Sequence, residues 1–193
     1  MAPGGSRQPN LRAAVDACPI GPWTGDAWRC HSRRYAGRDP GGSIKATGRY
    51  HRGRDRYPAS ETWPALYAAL APHVALAEML RHTRAMPELA TKRITRLRVA
   101  LSAVLDGTGL LRGDPSNTLA IDDLCRPVNY AVTHAIADAA RARGAEALLM
   151  PSCTRLDRNI LVIFPDRLRA GSSISVLETE DPDLFIDWNS LEA

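Results

Sequence analysis

The chain has 193 residues and a mass of 21.0 kDa, about the length of one domain, with 45% hydrophobic and 24% charged residues and a mean hydropathy of -0.24. This composition excludes a disordered or fibrous chain, and no apolar run approaches the roughly 20 residues that a bilayer span requires. The formal net charge is only +4, yet residues 1–60 hold eleven Lys and Arg against four Asp, a local +7, whereas residues 171–193 hold six Asp and Glu and no cation. A polyanionic ligand would meet the N-terminal third, where arginine outnumbers lysine and suits bidentate recognition of phosphate.

In chain order, residues 1–26 are rich in Pro and Gly, lack periodicity and read as a flexible leader. Met1-Ala-Pro-Gly-Gly-Ser carries no apolar export segment, so a cytoplasmic protein is expected. From Trp28 to Pro58, Gly37, Pro40, Gly41, Gly42, Gly48 and Gly53 break the chain into loops and short strands. A short strand is predicted over Trp63–Ala69 and a helix over Pro72–His82, with Pro72 in its first turn. Leu97, Val99 and Leu101 recur at period two and predict a strand over Ile94–Leu105. Val132, Ile136 and Ala139 or Ala140 share one helical face, which predicts a core-facing helix over Asn129–Arg143 stopped by Gly144. Three further strands are predicted over Glu146–Met150, Asn159–Phe164 and Ser173–Glu178. The expected fold is α+β: a single domain with a mixed sheet and flanking helices.

Most familiar site motifs are absent. Gly41-Gly-Ser-Ile-Lys-Ala-Thr-Gly lacks the Gly-Lys-Ser/Thr ending of a phosphate loop, and Gly107, Gly109 and Gly113 miss the dinucleotide spacing. His73, Glu78 and His82 do not form the two-histidine zinc motif, and Ser152 lies in Met-Pro-Ser-Cys-Thr, not in a nucleophile elbow. Cys18, Cys30, Cys125 and Cys153 are scattered without paired spacing, so four reduced thiols and no metal are expected.

What remains is a set of polar residues in apolar surroundings. Glu78 lies inside Val-Ala-Leu-Ala-Glu-Met-Leu, where a charge must be paired or put to use. Tyr67 ends a strand, Ser152 follows one through Pro151, and Arg49 and Tyr50 lie in the basic loop region. The succession Trp28-Arg29, Gly48-Arg49-Tyr50, Leu66-Tyr67-Ala68-Ala69, Ala75-Leu-Ala-Glu78, Leu149-Met-Pro-Ser152 and Arg158-Asn-Ile-Leu-Val-Ile-Phe-Pro165 resembles the RES domain, over roughly residues 28–178.

The resemblance implies a fold related to the ADP-ribosyltransferases and the toxin of a bacterial toxin–antitoxin pair that breaks the nicotinamide–ribose bond of NAD+. It places the family's Arg, Glu and Ser at Arg49, Glu78 and Ser152, with Arg29, Tyr50, Arg52 and Tyr67 as substrate-binding residues. Residues 27–180 would be the catalytic domain and 181–193 an acidic tail. NAD+ is the substrate, inorganic phosphate a candidate co-substrate, and no cofactor or metal is needed. The implied partner is an antitoxin, helix-turn-helix and Xre-like, covering the site and supplying any nucleic-acid contact; a homo-oligomer stays open, and no membrane is involved. Two departures stand out: His51-Arg-Gly-Arg54 follows Gly-Arg-Tyr where relatives carry a Trp-Asn-Pro type of segment, so Arg52 or Arg54 could share the Arg role, and Cys153 follows Ser152 where Ala is usual.

In chemical terms, cleavage at the anomeric carbon develops positive charge on the ribose, which a carboxylate opposes, while guanidinium groups hold the diphosphate. Tyr50 and Tyr67 would stack on nicotinamide or ribose, and Ser152 would orient the nicotinamide amide or a ribose hydroxyl. The acceptor is left open between phosphate and water, with a protein side chain, hence protein ADP-ribosylation, as the alternative. A nucleic-acid-binding module built on the arginine-rich third is the rival of another class.

Overall fold

Fifteen residues of alternating burial, Lys92–Asp106, form the longest strand and the spine of the fold. The computed structural model describes residues 11–81, 86–111, 119, 121–126, 129–154 and 158–186. In chain order the elements are α1 (Leu11–Ala17), β1 (Ile20–Ser32), α2 (Gly41–Lys45), β2 (Leu66–Ala69), α3 (Pro72–Leu80), β3 (Lys92–Asp106), α4 (Ile121–Cys125), α5 (Ala131–Ala142), β4 (Ala147–Pro151), β5 (Asn159–Ile163) and β6 (Ser173–Glu180).

The sheet runs β1-β2-β5-β4-β3-β6, and an additional pairing of β1 with β3 closes it on itself. β3 and β4 are parallel and every other pair is antiparallel, which makes the sheet mixed, as expected. One edge of β3 carries β1 from Lys92 to Leu105; the other carries β6 along Ile94–Ala100 and β4 along Val104–Asp106.

Because successive strand residues face opposite sides, the sheet supports two packing surfaces. Leu161 and Ile163 of β5 join Leu97, Val99, Leu101 and Leu66 in one cluster. Ile160 and Val162 of the same strand join Val15, Val74, Ile136, Ala140 and Phe164, so α1, α3 and α5 cover the other face. Helix α5 buries Thr133, His134, Ile136, Ala137, Ala139 and Ala140 and ends at Gly144, whose φ of +77° needs a residue without Cβ.

The expected flexible leader is corrected from residue 11 onward; residues 1–10 lie outside the described residues. Residues 11–17 form α1, where Val15 is fully buried, and residues 20–26 open a thirteen-residue strand. Gly21 and Pro22 read as strand breakers, but the ladder to β3 shifts register between Gly21 and Trp23, so Pro22 occupies an irregularity where no amide donor is needed. The far end also departs from expectation: β6 runs to Glu180, and Asp181, placed in an acidic tail, pairs with Arg33 and Arg93. Residues 187–193 of that tail lie outside the described residues.

Glu146, expected to open a strand, is fully buried immediately before β4. Its carboxylate accepts the backbone N–H groups of Ser102 at 2.7 Å, Ala103 at 2.9 Å and Arg169 at 2.5 Å, tying β3 to the segment before β6. Burial pushes its carboxyl up, but these hydrogen bonds and one from Ser172 outweigh that and hold it below the usual range.

Candidate active site

A cleft of about 400 Å³ opens between β1, β2, α3 and the 42–51 segment. Arg29 comes from β1, Tyr67 from β2, Glu78 from α3, and Arg49 from a tight turn in which Gly48 and His51 exchange backbone hydrogen bonds. That turn explains the close approach at Gly48, where a Cβ would lie 2.3 Å from the His51 ring.

The centre of the site is the Glu78 carboxylate. Arg49 Nη2 donates to Oε2 at 2.6 Å, and Ser152 Oγ donates to Oε1 at 2.6 Å. The backbone N–H of Cys153 reaches Oε1 at 3.0 Å, and Thr154 Oγ1 lies 3.0 Å from Ser152 Oγ. Burial pushes the Glu78 carboxyl up, but the Arg49 charge, the Ser152 hydroxyl and the Cys153 amide outweigh it, so the group is held below its ordinary value and is ionised. Arg49, Glu78 and Ser152, 29 and 74 residues apart along the chain, thus form one hydrogen-bonded unit. Arg81, three residues beyond Glu78, donates to the Cys125 carbonyl.

Arg49 is buried to 7% exposure, and its second terminal nitrogen, Nη1, is buried with no hydrogen-bond partner among the described residues. A buried guanidinium nitrogen left unpaired is costly unless something else accepts from it. Arg29 is the second cation on the wall: Nη1 donates to the Gly37 carbonyl at 3.0 Å, and desolvation pulls its pKa down to about 10. The Asp39 charge offsets only part of that desolvation, so an anion at this point would be favoured.

The other expected substrate contacts divide. Tyr67 lines the cleft, but its hydroxyl is engaged, accepting the Tyr50 N–H at 2.9 Å and meeting His51 Nδ1 at 2.9 Å. Tyr50, expected to stack on substrate, is fully buried in the core and absent from the cleft wall. Arg52 is likewise off the wall: it pairs with Asp138 of α5 and lies 4.8 Å from the Trp63 ring centroid, so it fastens the 51–64 segment to α5. Arg54, its alternate, is exposed. Ser152 is fully buried and does not line the cleft, so its contact runs to Glu78 where a contact to the nicotinamide amide or a ribose hydroxyl was expected.

Sequence reading missed the histidines. His51 Nε2 lies 2.7 Å from the Ala46 carbonyl, which can only accept, so that nitrogen carries hydrogen and Nδ1 accepts from Tyr67. His134 does the same with the Gly48 carbonyl at 2.9 Å and the Tyr57 hydroxyl at 3.2 Å. His31, on the wall, lies 3.0 Å from the Ser32 carbonyl and 2.8 Å from Thr95 Oγ1. Burial holds all three below the ordinary histidine value, hence neutral. The single available signal was the Gly48 to His51 stretch itself; His134 is joined to it only through space, at the Gly48 carbonyl.

The expectation of four free thiols is also overturned. Cys125, at the end of α4, and Cys153, beside Ser152, form a disulfide, while Cys18 and Cys30 are free. A separation of 28 residues with no local motif hides such a pair in a sequence. Among the described residues, no group of three or more His, Cys, Asp and Glu could hold a metal, and no helix is long and apolar enough to cross a membrane.

Part of the basic third is engaged internally: Arg33 pairs with Asp181, Arg49 with Glu78 and Arg52 with Asp138.

Comparison with known proteins agrees with this architecture. The model of the RES domain matches residues 26–189. A chain of the crystal structure of the M. tuberculosis MbcT–MbcA toxin–antitoxin complex superposes at a TM-score of 0.66, with 19% identity over 93% of this chain and 97% of that chain. No curated protein matches.

Proposed function

The chain belongs to the RES domain family, and on that footing we propose that it degrades NAD+ by breaking the bond between nicotinamide and the anomeric carbon of its ribose. The observation that carries the proposal is the Arg49–Glu78 pair: an ionised carboxylate at the wall of a cleft, joined to a buried guanidinium whose Nη1 has no partner among the described residues. The fold kinship of the RES family with ADP-ribosyltransferases supports the same chemistry.

In this reading Arg29 and the Nη1 of Arg49 take oxygens of the diphosphate. The Glu78 carboxylate lies beside the nicotinamide ribose, accepts a hydroxyl hydrogen and opposes the positive charge that grows there. The C–N bond breaks with its electron pair moving to the ring nitrogen, so nicotinamide leaves neutral. A phosphate oxygen or a water oxygen then bonds to the anomeric carbon, giving ADP-ribose phosphate, or ADP-ribose and a proton. Ser152 acts through Glu78, holding one carboxylate oxygen so that the other side faces Arg49. Tyr67 fixes the 48–51 turn through the Tyr50 amide and His51. No step calls for a metal.

The structural neighbour comes from a toxin–antitoxin complex, and an NAD+-consuming enzyme needs restraint in its own cell. We therefore read this chain as the toxin of such a pair, cytoplasmic, with its antitoxin covering the cleft. The test is incubation of the purified chain with NAD+, with and without inorganic phosphate, followed by proton and phosphorus NMR. Nicotinamide release is expected; a phosphorylated ribose product marks phosphorolysis, and free ADP-ribose marks hydrolysis. Release of nicotinamide with ADP-ribose retained on protein would reassign the chain as a protein ADP-ribosyltransferase, and unchanged NAD+ would overturn the proposal.

A further inference from the structure

Glu78 is held by a turn that is itself held by a covalent bond. The turn begins at Ser152, whose backbone N–H donates to the Arg158 carbonyl at 2.8 Å, and it presents the Ser152 hydroxyl at 2.6 Å and the Cys153 N–H at 3.0 Å to Glu78 Oε1. Cys153, between those donors and Thr154, is bonded to Cys125. Cys125 closes the circuit on the helix that carries Glu78, because Arg81, one residue past the end of α3, donates to the Cys125 carbonyl. The contacts therefore run from Glu78 to Cys153, through the disulfide to Cys125, and by way of Arg81 back to α3.

Among the described hydrogen bonds to the Glu78 side chain, only that of Arg49 comes from outside this turn. Arg49 pulls Oε2 while the turn holds Oε1, so the carboxylate's orientation depends on both. Strand β4 ends at Pro151 and β5 begins at Asn159, and past them the cross-strand backbone bond from Ser152 to Arg158 holds the near end of the turn and leaves Cys153 and Thr154 beyond it. The disulfide is the one covalent constraint on the turn beyond the backbone.

We propose that the Cys125–Cys153 disulfide is a positioning element of the Glu78 site, and that a thiol reductant lowers turnover by releasing the 152–154 turn from the carboxylate. The effect on turnover rests on the NAD+-cleaving function proposed above; the effect on the turn does not. The redox step is an exchange with a dithiol: its two thiols are oxidised to a disulfide, and two electrons and two protons pass to the protein, leaving Cys125 and Cys153 as thiols. The freed turn no longer fixes Oε1. Substrate binding through Arg29 and Arg49 is retained, so the loss falls on kcat and not on KM.

The experiment compares the full chain oxidised and after dithiothreitol treatment, with alkylation and mass measurement counting free thiols. The oxidised chain is expected to expose two alkylatable cysteines, and the reduced chain four. Reduction is expected to lower kcat about ten- to hundred-fold, as a small displacement of a catalytic group does, with KM for NAD+ little changed and activity restored on reoxidation. Cys125→Ser is expected to show the low kcat and no response to reductant. Amide hydrogen exchange at Cys153 is expected to speed up on reduction. Four alkylatable cysteines in the oxidised chain would overturn the proposal, as would equal kcat in both states or Cys153 exchange that ignores the reductant. If the oxidised chain leaves NAD+ intact, the proposed activity fails, while the exchange comparison at Cys153 still decides whether the disulfide holds the turn.

Discussion

Arg49 and Glu78 meet at 2.6 Å with both side chains largely buried, yet Arg49 Nη1 has no partner among the described residues while Glu78 accepts from Arg49, Ser152 and Cys153. The carboxylate is satisfied and the guanidinium is not. That asymmetry suits a site awaiting an anion more than a finished structural ion pair, since a buried pair is stable when all its hydrogen-bonding capacity is used.

Glu78→Gln preserves shape and removes charge. It is expected to leave the fold intact and to reduce nicotinamide release about a thousand-fold, the scale of losing a main electrostatic stabiliser. Circular dichroism checks the fold and nicotinamide release checks the rate; turnover near wild type would remove Glu78 from the mechanism.

Arg29→Ala tests the second cation. Because no described carboxylate hydrogen-bonds to Arg29, its loss should weaken substrate binding without unravelling a network. KM for NAD+ is expected to rise about ten- to hundred-fold, the worth of a hydrogen bond to a charged group, with kcat little changed.

Arg52→Ala separates packing from binding. Its guanidinium lies 4.8 Å from the Trp63 ring centroid and pairs with Asp138, away from the cleft wall. Stability is expected to fall by about 1 kcal/mol in denaturant titration, while KM for NAD+ holds. A selective rise in KM would return Arg52 to the substrate site.

The three neutral histidines predict an acid limb in stability. The unfolded chain takes up protons near pH 6.5, where His31, His51 and His134 in the folded chain still refuse them. Stability is therefore complete well above that value and declines as pH falls through it, by about 1.4 kcal/mol per pH unit for each histidine until its lower folded value is reached. Thermal melts between pH 7.5 and 5.5 measure the slope, and His51→Asn combined with His134→Gln is expected to flatten it.

Glu146→Ala would leave the backbone donors of Ser102, Ala103 and Arg169 without their acceptor. A loss of about 3 kcal/mol is expected in urea unfolding, with residual activity in the folded fraction unchanged.

Local grammar determined a good part of this molecule. Period two in Leu97, Val99 and Leu101 announced β3, a helical apolar face with Gly144 as its stop announced α5, and Glu78 stood out because a charge amid Val74, Ala75 and Leu76 needs a reason. These signals are written in neighbouring residues, where side-chain spacing and burial are coupled. Tertiary structure decided the rest. Gly21, Pro22 and Gly25 spell a loop locally, and only the ladder to β3 makes them a strand. Tyr50 and Tyr67 look alike in sequence, but one is sealed in the core and the other lines the cleft. Cys125 finds Cys153, and His134 finds Gly48 from 86 residues away, through contacts that no local pattern encodes. Burial and partnership between distant residues depend on how whole elements pack, so the sequence supplied the candidate groups and the fold assigned each its partner.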